Sequence, residues 1–215
     1  EGKKRTVQEF LDVIRPRSAW DLGANTGLFS RLASRRGILT LAFDADQVAV
    51  ELNYRRCLAE NENNLLPLVM DLANPSPAIG WENRERQSLL ERGPADAALV
   101  LALLHHLAIS NNLPLPKIAA FMSRICRWLV IEFVPKADPQ IQRLLAARDD
   151  IFPNYGRPGF EGEFSRLFEI LKAAPIPGTE RILYLMKNRR GPSAVLAPGP
   201  GSRTVESVGD GGEIP

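Results

Sequence analysis

The chain has 215 residues, of which 45% are hydrophobic and 24% are charged, and its formal net charge is +2. This composition predicts one globular domain with a sizeable core, and the small positive excess disfavours a dedicated polyanion binder. No apolar run approaches the roughly 20 residues that cross a bilayer, and Cys57 and Cys126 lack the spacing of a zinc site or a disulfide framework, so we expect buried thiols in a cytoplasmic protein without a membrane span.

In the first half of the chain, helical patterns alternate with short apolar runs that predict strands. The stretch "TVQEFLDVI" predicts a single amphipathic helix before the first strand. The predicted elements that follow are a strand over Ser18–Gly23, a helix over Gly27–Arg36, a strand over Ile38–Asp44, a helix over Gln47–Glu60 and a strand over Leu65–Asp71, in which Pro67 indicates an irregular start.

The second half continues the same alternation. The nearly continuous apolar run Ala95–Leu104 is typical of a strand that is buried on both faces. The elements predicted after it are a helix over Pro116–Arg127, a strand over Trp128–Val134, helices over Pro139–Arg148 and Gly162–Phe168, and strands over Ile170–Ala173 and Arg181–Lys187.

This order of elements predicts an α/β fold with a Rossmann-like, doubly wound, mostly parallel sheet of about seven strands. Because no helix separates the last two strands, we expect them to pair in opposite directions and to give an antiparallel C-terminal strand. The domain should occupy residues 1–188. Residues 189–215 contain six Gly and four Pro with little apolar periodicity, which predicts a disordered tail.

Arginines are frequent on and around the predicted helices. We interpret them as a solvated face rather than as a binding surface for a polyanion. They are Arg15, Arg17, Arg31, Arg35, Arg36, Arg55 and Arg56.

The turn after the first strand reads "DLGANTG", from Asp21 to Gly27. In a doubly wound sheet, ligands bind beyond the carboxyl ends of the strands, and this turn lies at that edge. Gly23 permits a sharp turn and a close approach of a ligand to the backbone, Gly27 permits close packing of helix and strand, and Asn25 is one of two residues that could cap the helix. The spacing differs from the G-x-G-x-x-G that receives the pyrophosphate of a dinucleotide.

Three acids lie at the carboxyl ends of the first three predicted strands. Asp21 at the ligand edge favours an ammonium group and disfavours bare phosphates. Asp44 comes 21 residues after Gly23, where an acid accepts hydrogen bonds from both hydroxyls of a ribose. Asp71 closes the third strand, where its carboxylate and the next backbone N–H can contact the edge of an adenine. Together these acids call for a nucleoside that carries an amine and no phosphate.

With these residues the sequence resembles class I S-adenosylmethionine-dependent methyltransferases. The motifs are "DLGANTG", "AFDAD", "VMDL" and "ADAALVLALLHHL", and the resemblance covers Thr6 to about Lys187. It implies S-adenosylmethionine as the cofactor, with Asp21 and Gly23 at the methionine moiety. It further implies a cofactor site that includes Asn25, Gly27, Asp44 at the ribose, Asp46 and Asp71 at the adenine, Leu72 and Leu103. The stretches "HHLAISNNLPL", "EFVPKADPQIQRLL" and "DDIFPNY" also resemble bacterial methyltransferases of the nodulation-protein type.

Transfer from a sulfonium is an in-line displacement, so the protein has to align the acceptor atom, exclude water and remove a proton from an O or N acceptor. His105 and His106 are the only histidines in the chain, and either could accept that proton or serve as a structural hydrogen-bonding group. Glu132 ends the fifth predicted strand, where it could orient the substrate, assist a histidine or form a salt bridge.

Two loops offer further candidates, each with an ordinary structural alternative. Asn111 and Asn112 could contact the acceptor or form a turn. Phe152, Tyr155 and Phe160 could cover the acceptor as an aromatic lid or form a satellite hydrophobic cluster under a long loop.

We expect a small-molecule or carbohydrate-like acceptor. The mild charge and the absence of an N-P-P-[YF] tetrad disfavour a nucleic acid, and no metal-ligand cluster is evident. The short segment before the first strand leaves room for an acceptor-binding domain upstream of Glu1 that this chain lacks. The alternatives are an RNA or protein methyltransferase, a non-catalytic module that binds S-adenosylmethionine, and a Rossmann-like domain that binds NAD or no ligand.

Overall fold

The computed structural model describes residues 1–146 and 149–191, and residues 192–215 of the predicted tail lie outside this part of the chain. One seven-stranded sheet has the order β3-β2-β1-β4-β5-β7-β6. Its strands are β1 Ser18–Leu22, β2 Leu39–Asp44, β3 Leu65–Val69, β4 Ala95–Val100, β5 Cys126–Phe133, β6 Phe168–Pro175 and β7 Ile182–Asn188.

The helices flank the strands in nearly the predicted order. They are α1 Gly2–Ile14, α2 Ser30–Ser34, α3 Gln47–Glu60, α4 Leu89–Arg92, α5 Leu115–Ile125, α6 Pro139–Leu145 and α7 Arg157–Ser165, with a short 3-10 helix at Trp81–Asn83 and a π-helix at His106–Ser110. Within the described ranges, no helix is long and apolar enough to cross a membrane.

The pairing of the strands confirms the predicted fold class. Strands β1 to β5 are parallel to one another, whereas β7 pairs antiparallel with both β5 and β6. The last strand lies between β5 and β6, and its antiparallel pairing with β6 is what a hairpin without an intervening helix requires.

Alternating side chains of the central strands supply two cores, one on each face of the sheet. In β4, Ala98 and Val100 belong to the larger core, while Leu99 belongs to the smaller one. Helices α5 and α7 cover the larger core, and α1 covers the smaller one with Phe10 and Leu11. Burial on both faces explains why β4 is a continuous apolar run in the sequence.

Several predicted boundaries were wrong, for local physical reasons. Strand β4 ends at Val100 rather than Leu104, because Ala102 adopts a left-handed conformation with φ 55° and the chain then enters the π-helix. Helix α7 begins at Arg157 rather than Gly162, and Pro158 in its first turn suits a helix start. Helix α4 was missed, although Ser88 and Glu91 form a capping box at its start.

Strand β3 forms one edge of the sheet. The Met70 N–H donates to the Asp44 carbonyl and the Thr40 N–H donates to the Asn64 carbonyl, both at 2.8 Å. The backbone groups of alternate residues in a strand bond on the same side. Those of the even-numbered residues here face β2, so the backbone nitrogen of Pro67 lies on the outer edge of the sheet. The irregularity indicated by Pro67 is thus accommodated on the free edge, where no ladder hydrogen bond is lost.

Candidate functional site

The carboxyl ends of the parallel strands open onto a cavity of about 620 Å³. Its walls come mainly from the segments that follow β1, β2, β3 and β4, and Lys3 of α1 and Gln140 of α6 complete them. The cavity therefore lies at the edge where doubly wound sheets bind ligands.

The glycine turn after β1 is fixed against β2. The N–H groups of Gly23 and Ala24 both donate to the Phe43 carbonyl, at 2.9 Å each. Gly23 has φ 77°, and a Cβ on it would lie 3.2 Å from Leu103 Cδ1 across the cavity floor. A larger residue at this position would therefore strain the backbone and crowd the Leu103 side chain.

Two backbone donors orient the Asp44 carboxylate at the end of β2. The Asn25 N–H donates to its Oδ2 at 2.7 Å, and the Asp46 N–H donates to its Oδ1 at 2.9 Å. Each oxygen keeps a lone pair for a ligand, as acceptance from two ribose hydroxyls requires. Asp46 itself caps α3, since its Oδ1 accepts from Val48 N–H at 2.8 Å.

Asp21 is the most deeply buried acid of the cavity, with 1% of its surface exposed. Burial raises the pKa of Asp21 to about 6, although the Ser30 hydroxyl and the charge of Lys3 oppose this shift. The Ser30 Oγ–H donates to Asp21 Oδ2 at 2.6 Å. A buried carboxylate is a strong partner for an ammonium group.

The third acid of the cavity follows β3. Asp71 Oδ1 accepts from the Ala73 N–H at 2.8 Å, and Leu72 packs beside it with 8% of its surface exposed. This pair offers a carboxylate and an apolar wall to a planar ring.

Arg31 is buried against the glycine turn. Its interpretation as part of a solvated face was therefore wrong. Its guanidinium is 3% exposed and donates to the carbonyl of Thr26 at 2.9 Å and to Asn53 Oδ1 at 2.8 Å. Glu62 Oε2 lies 2.9 Å from its Nε. Gly27 is required here, because a Cβ would lie 2.4 Å from Asn53 Oδ1 and 2.6 Å from Arg31 Nη1.

The structure thus brings most of the predicted cofactor residues to one cavity. Those that line it are Asp21, Gly23, Asn25, Asp44, Asp71, Leu72 and Leu103. Gly27 and Asp46 do not line it, and they hold the turn and α3 in place.

The two histidines lie in different environments. His106 begins the π-helix, lines the cavity and is exposed, and burial of part of its ring lowers its pKa. His105 is fully buried outside the cavity lining, and neither ring nitrogen has a hydrogen-bond partner among the described residues. Burial, assisted by the charges of His106 and Arg181, lowers the pKa of His105 to about 4. The ring centroids lie 4.3 Å apart.

Glu132 is fully buried at the end of β5 and lies outside the cavity lining. Its Oε2 lies 2.5 Å from Lys3 Nζ, and its Oε1 lies 3.5 Å from Arg181 Nη1. Arg181 also binds Asp138, with 2.7 Å between its Nε and Asp138 Oδ2. Among the alternatives for Glu132, the geometry matches the salt bridge, with Lys3 and Arg181 as its partners.

The loop candidates also separate. Asn111 lines the cavity, and its Nδ2 donates to the His106 carbonyl at 2.9 Å, while Asn112 lies outside the lining. Tyr155 and Phe160 are buried in the larger core around Phe133, with 5.2 Å between the ring centroids of Phe133 and Phe160. These aromatic residues form a hydrophobic cluster and do not line the cavity.

The lining also includes residues to which the sequence analysis gave no role, among them Lys3, Phe29 and Gln140. Lys3 lies just before the amphipathic stretch that predicts α1, and its charge gave no signal by itself. No group of three or more His, Cys, Asp or Glu side chains in residues 1–146 and 149–191 could hold a metal ion.

Comparisons with known proteins show which sequences and folds this chain resembles. No family model matches the chain. The chain is 41% identical over 183 residues to nodulation protein NoeA of Rhizobium meliloti (strain 1021), a match that covers 85% of the chain and 38% of that protein. The chain therefore spans well under half the length of this relative.

Two solved structures share the fold at low identity. The N-methyltransferase NodS from Bradyrhizobium japonicum WM9 has a TM-score of 0.61 at 13% identity, over 86% of this chain and 94% of that chain. The magnesium protoporphyrin IX methyltransferase ChlM from Synechocystis PCC 6803, solved with bound SAH, has a TM-score of 0.59 at 17% identity, over 87% of this chain and 84% of that chain.

Proposed function

We propose that this chain, which has the class I S-adenosylmethionine-dependent methyltransferase fold, binds S-adenosylmethionine in the cavity and transfers its methyl group to an oxygen or nitrogen of a small-molecule acceptor. One observation carries the proposal. The carboxylates of Asp21, Asp44 and Asp71 lie at or just after the carboxyl ends of three neighbouring parallel strands and line a single cavity of about 620 Å³.

The residues of the cavity fit this cofactor. Asp21 would hold the ammonium of the methionine moiety, Asp44 would accept from the ribose hydroxyls, and Asp71 with Leu72 would flank the adenine. Three acids suit a ligand that carries a sulfonium and an ammonium, and they oppose the phosphates of a dinucleotide. This argues against the NAD alternative.

When bound, the cofactor would supply an activated methyl group, and its neutral thioether leaving group needs no acid. The chain's own residues have to orient the acceptor, exclude water and take its proton. His106 is the candidate for that last role, because it lines the cavity and its lowered pKa keeps the imidazole neutral near pH 7. His105 is better suited to packing against the His106 ring, since it is buried outside the lining.

The acceptor is proposed from the polar residues of the cavity. The described relatives act on different acceptors by their names, an N-methyltransferase and a magnesium protoporphyrin IX methyltransferase. His106, Asn111 and Gln140 offer neutral polar groups to the cavity, from segments that follow β4 and β5. Such groups recognise hydroxyl and amino groups, which favours a polar small molecule.

The test combines binding and transfer. Calorimetry with S-adenosylhomocysteine should show binding, and incubation with methyl-labelled cofactor and fractionated extract should label a small molecule. Asp44→Ala should abolish binding, whereas Asp96→Ala, an acid at the opposite end of β4 that pairs with Arg17, should leave it unchanged. Label in RNA or protein would favour the alternative acceptor classes, and absence of binding by the wild-type chain would refute the proposal.

A further inference from the structure

We infer that Lys3 binds the carboxylate at the amino-acid end of the cofactor, beside Asp21, which takes the ammonium of the same group. The inference rests on the proposed function and assigns a cofactor-binding role to a residue of α1. This helix lies outside the four sequence motifs, so none of them includes Lys3.

The charges on the cavity walls support this assignment. Among the described residues that line the cavity, Lys3 alone has a lysine or arginine side chain, whereas three lining residues are aspartates. The cofactor carries one anionic group, its α-carboxylate. Within this cavity the carboxylate would be repelled by each acid, and Lys3 is the lining residue that can neutralise it.

The position of Lys3 matches the geometry of an amino acid. An α-ammonium and an α-carboxylate are attached to the same carbon, so their protein partners have to be neighbours. Lys3 and Asp21 line the same cavity, and the charge of Lys3 is close enough to Asp21 to lower its pKa against the effect of burial. The pair therefore presents one cation and one anion to the same cavity.

The Lys3 ammonium is held in place before any ligand arrives. It donates to Glu132 Oε2 at 2.5 Å, and it lies 4.7 Å from the centroid of the Phe29 ring. Glu132 is also shared with Arg181, at 3.5 Å, so it does not fully neutralise Lys3. An ammonium has three N–H donors, and the bond to Glu132 uses one of them. A buried carboxylate thus orients a cation that can still donate to a ligand.

Three ligands separate this role from the rest of the site. S-adenosylhomocysteine carries both charged groups, its decarboxylated form keeps only the amine, and 5′-methylthioadenosine has neither. Lys3→Gln should weaken S-adenosylhomocysteine binding by about tenfold or more, as loss of a hydrogen bond to a charged group predicts. The same change should alter the affinity for the other two ligands by less than about twofold. Lys3→Arg should retain most of the affinity. All affinities are measured by calorimetry, without turnover.

Two variants control for structural damage. Lys172→Gln removes a matched ammonium that lies 5.6 Å from the Phe10 ring centroid, outside the cavity lining, and should change none of the affinities. The double variant Lys3→Gln with Glu132→Gln avoids a buried carboxylate that has lost its nearer cation, and it should still lose S-adenosylhomocysteine affinity selectively.

Each remaining outcome contradicts the inference. Equal weakening of all three ligands in the double variant would show that Lys3 acts only through the structure of the site. Unchanged S-adenosylhomocysteine affinity in Lys3→Gln would show that the carboxylate binds elsewhere. Failure of the wild-type chain to bind any of the three ligands would refute the proposed function itself, and the inference with it.

Discussion

At the scale of single residues, Asp21 is the proposed partner of the ligand's ammonium group, but its buried environment disfavours the charged carboxylate. Its pKa is raised to about 6 from 3.8 because it is buried. The folded chain therefore holds this proton more tightly than the unfolded chain, so the free energy of unfolding falls as the pH rises from about 4 to about 6. A group of this kind lowers stability at neutral pH in exchange for binding a cation.

Asp21→Asn should accordingly stabilise the free protein while it removes cofactor binding. At pH 7 we expect the free energy of unfolding to rise by about 3 kcal/mol, since the pKa is raised from 3.8 to about 6 and each pKa unit corresponds to ~1.4 kcal/mol. Below pH 4 the gain should vanish, because the wild-type carboxyl is then protonated in both states. Urea denaturation at several pH values measures this difference. A gain that is equal at pH 3.5 and pH 7 would contradict it.

His106 gives a second prediction at this scale. If it is the general base, His106→Gln should lower turnover by ~10²–10⁴-fold while S-adenosylhomocysteine affinity stays within about twofold. Because its pKa is lowered, the rate of the wild-type enzyme should reach its plateau with an apparent pKa below 6.5. His105→Leu, which removes the buried neighbour, should reduce turnover far less. Undiminished turnover by His106→Gln would exclude it as the base.

At the scale of elements, the glycine turn and the helix after it depend on a tight contact at Gly27. Gly27 and Gly37 have almost the same left-handed φ, 78° and 77°. A Cβ at Gly27 would clash with Asn53 and Arg31, whereas nothing lies within 4 Å of a Cβ at Gly37. The two positions therefore separate backbone strain from steric exclusion.

Gly37→Ala should cost about 1 kcal/mol, the usual penalty of a left-handed alanine. Gly27→Ala should cost at least about 2 kcal/mol more, because the buried contacts of Arg31 have to move. Both are measured by thermal and urea denaturation, and Gly27→Ala should also weaken S-adenosylhomocysteine binding. Equal losses at both positions would show that Arg31 does not constrain the turn.

The elements also show how far sequence could predict this site. Asp21, Gly23 and Asn25 were predictable because a strand, a turn and a helix start lie within a few residues of each other. The position of His106 was not, because an apolar run does not reveal where a buried strand gives way to a helix. Lys3 and Gln140 come from elements that only tertiary packing brings to the cavity. Arg31 was misassigned because its partner Glu62 comes after α3 in the chain, so only the folded structure shows the pairing.

At the scale of the whole molecule, an ion-pair network connects the first turn of α1 to the hairpin formed by β6 and β7. Lys3 of α1, Glu132 of β5, Asp138 before α6 and Arg181 before β7 form one buried or half-buried series. A cation removed from such a series leaves an uncompensated charge out of contact with water. The network therefore couples the stability of four elements.

Arg181→Met should lower the free energy of unfolding by about 3 kcal/mol, because Asp138 loses its partner and Glu132 retains only Lys3. Arg55→Met, which breaks an exposed pair with Glu51 on α3, should have an effect within experimental error. Urea denaturation of both variants tests the contrast. Similar effects of the two substitutions would show that the network contributes no more than a surface pair.

Pro67 bears on the behaviour of the protein at high concentration. An exposed edge strand can act as a template for another polypeptide, and β3 carries apolar side chains at Leu66 and Val69 that are 46% and 52% exposed. A foreign strand docking there would find no amide proton at Pro67 to meet its carbonyl. This single ring thus protects the free border of the sheet against intermolecular β-addition, and so against the growth of fibrils.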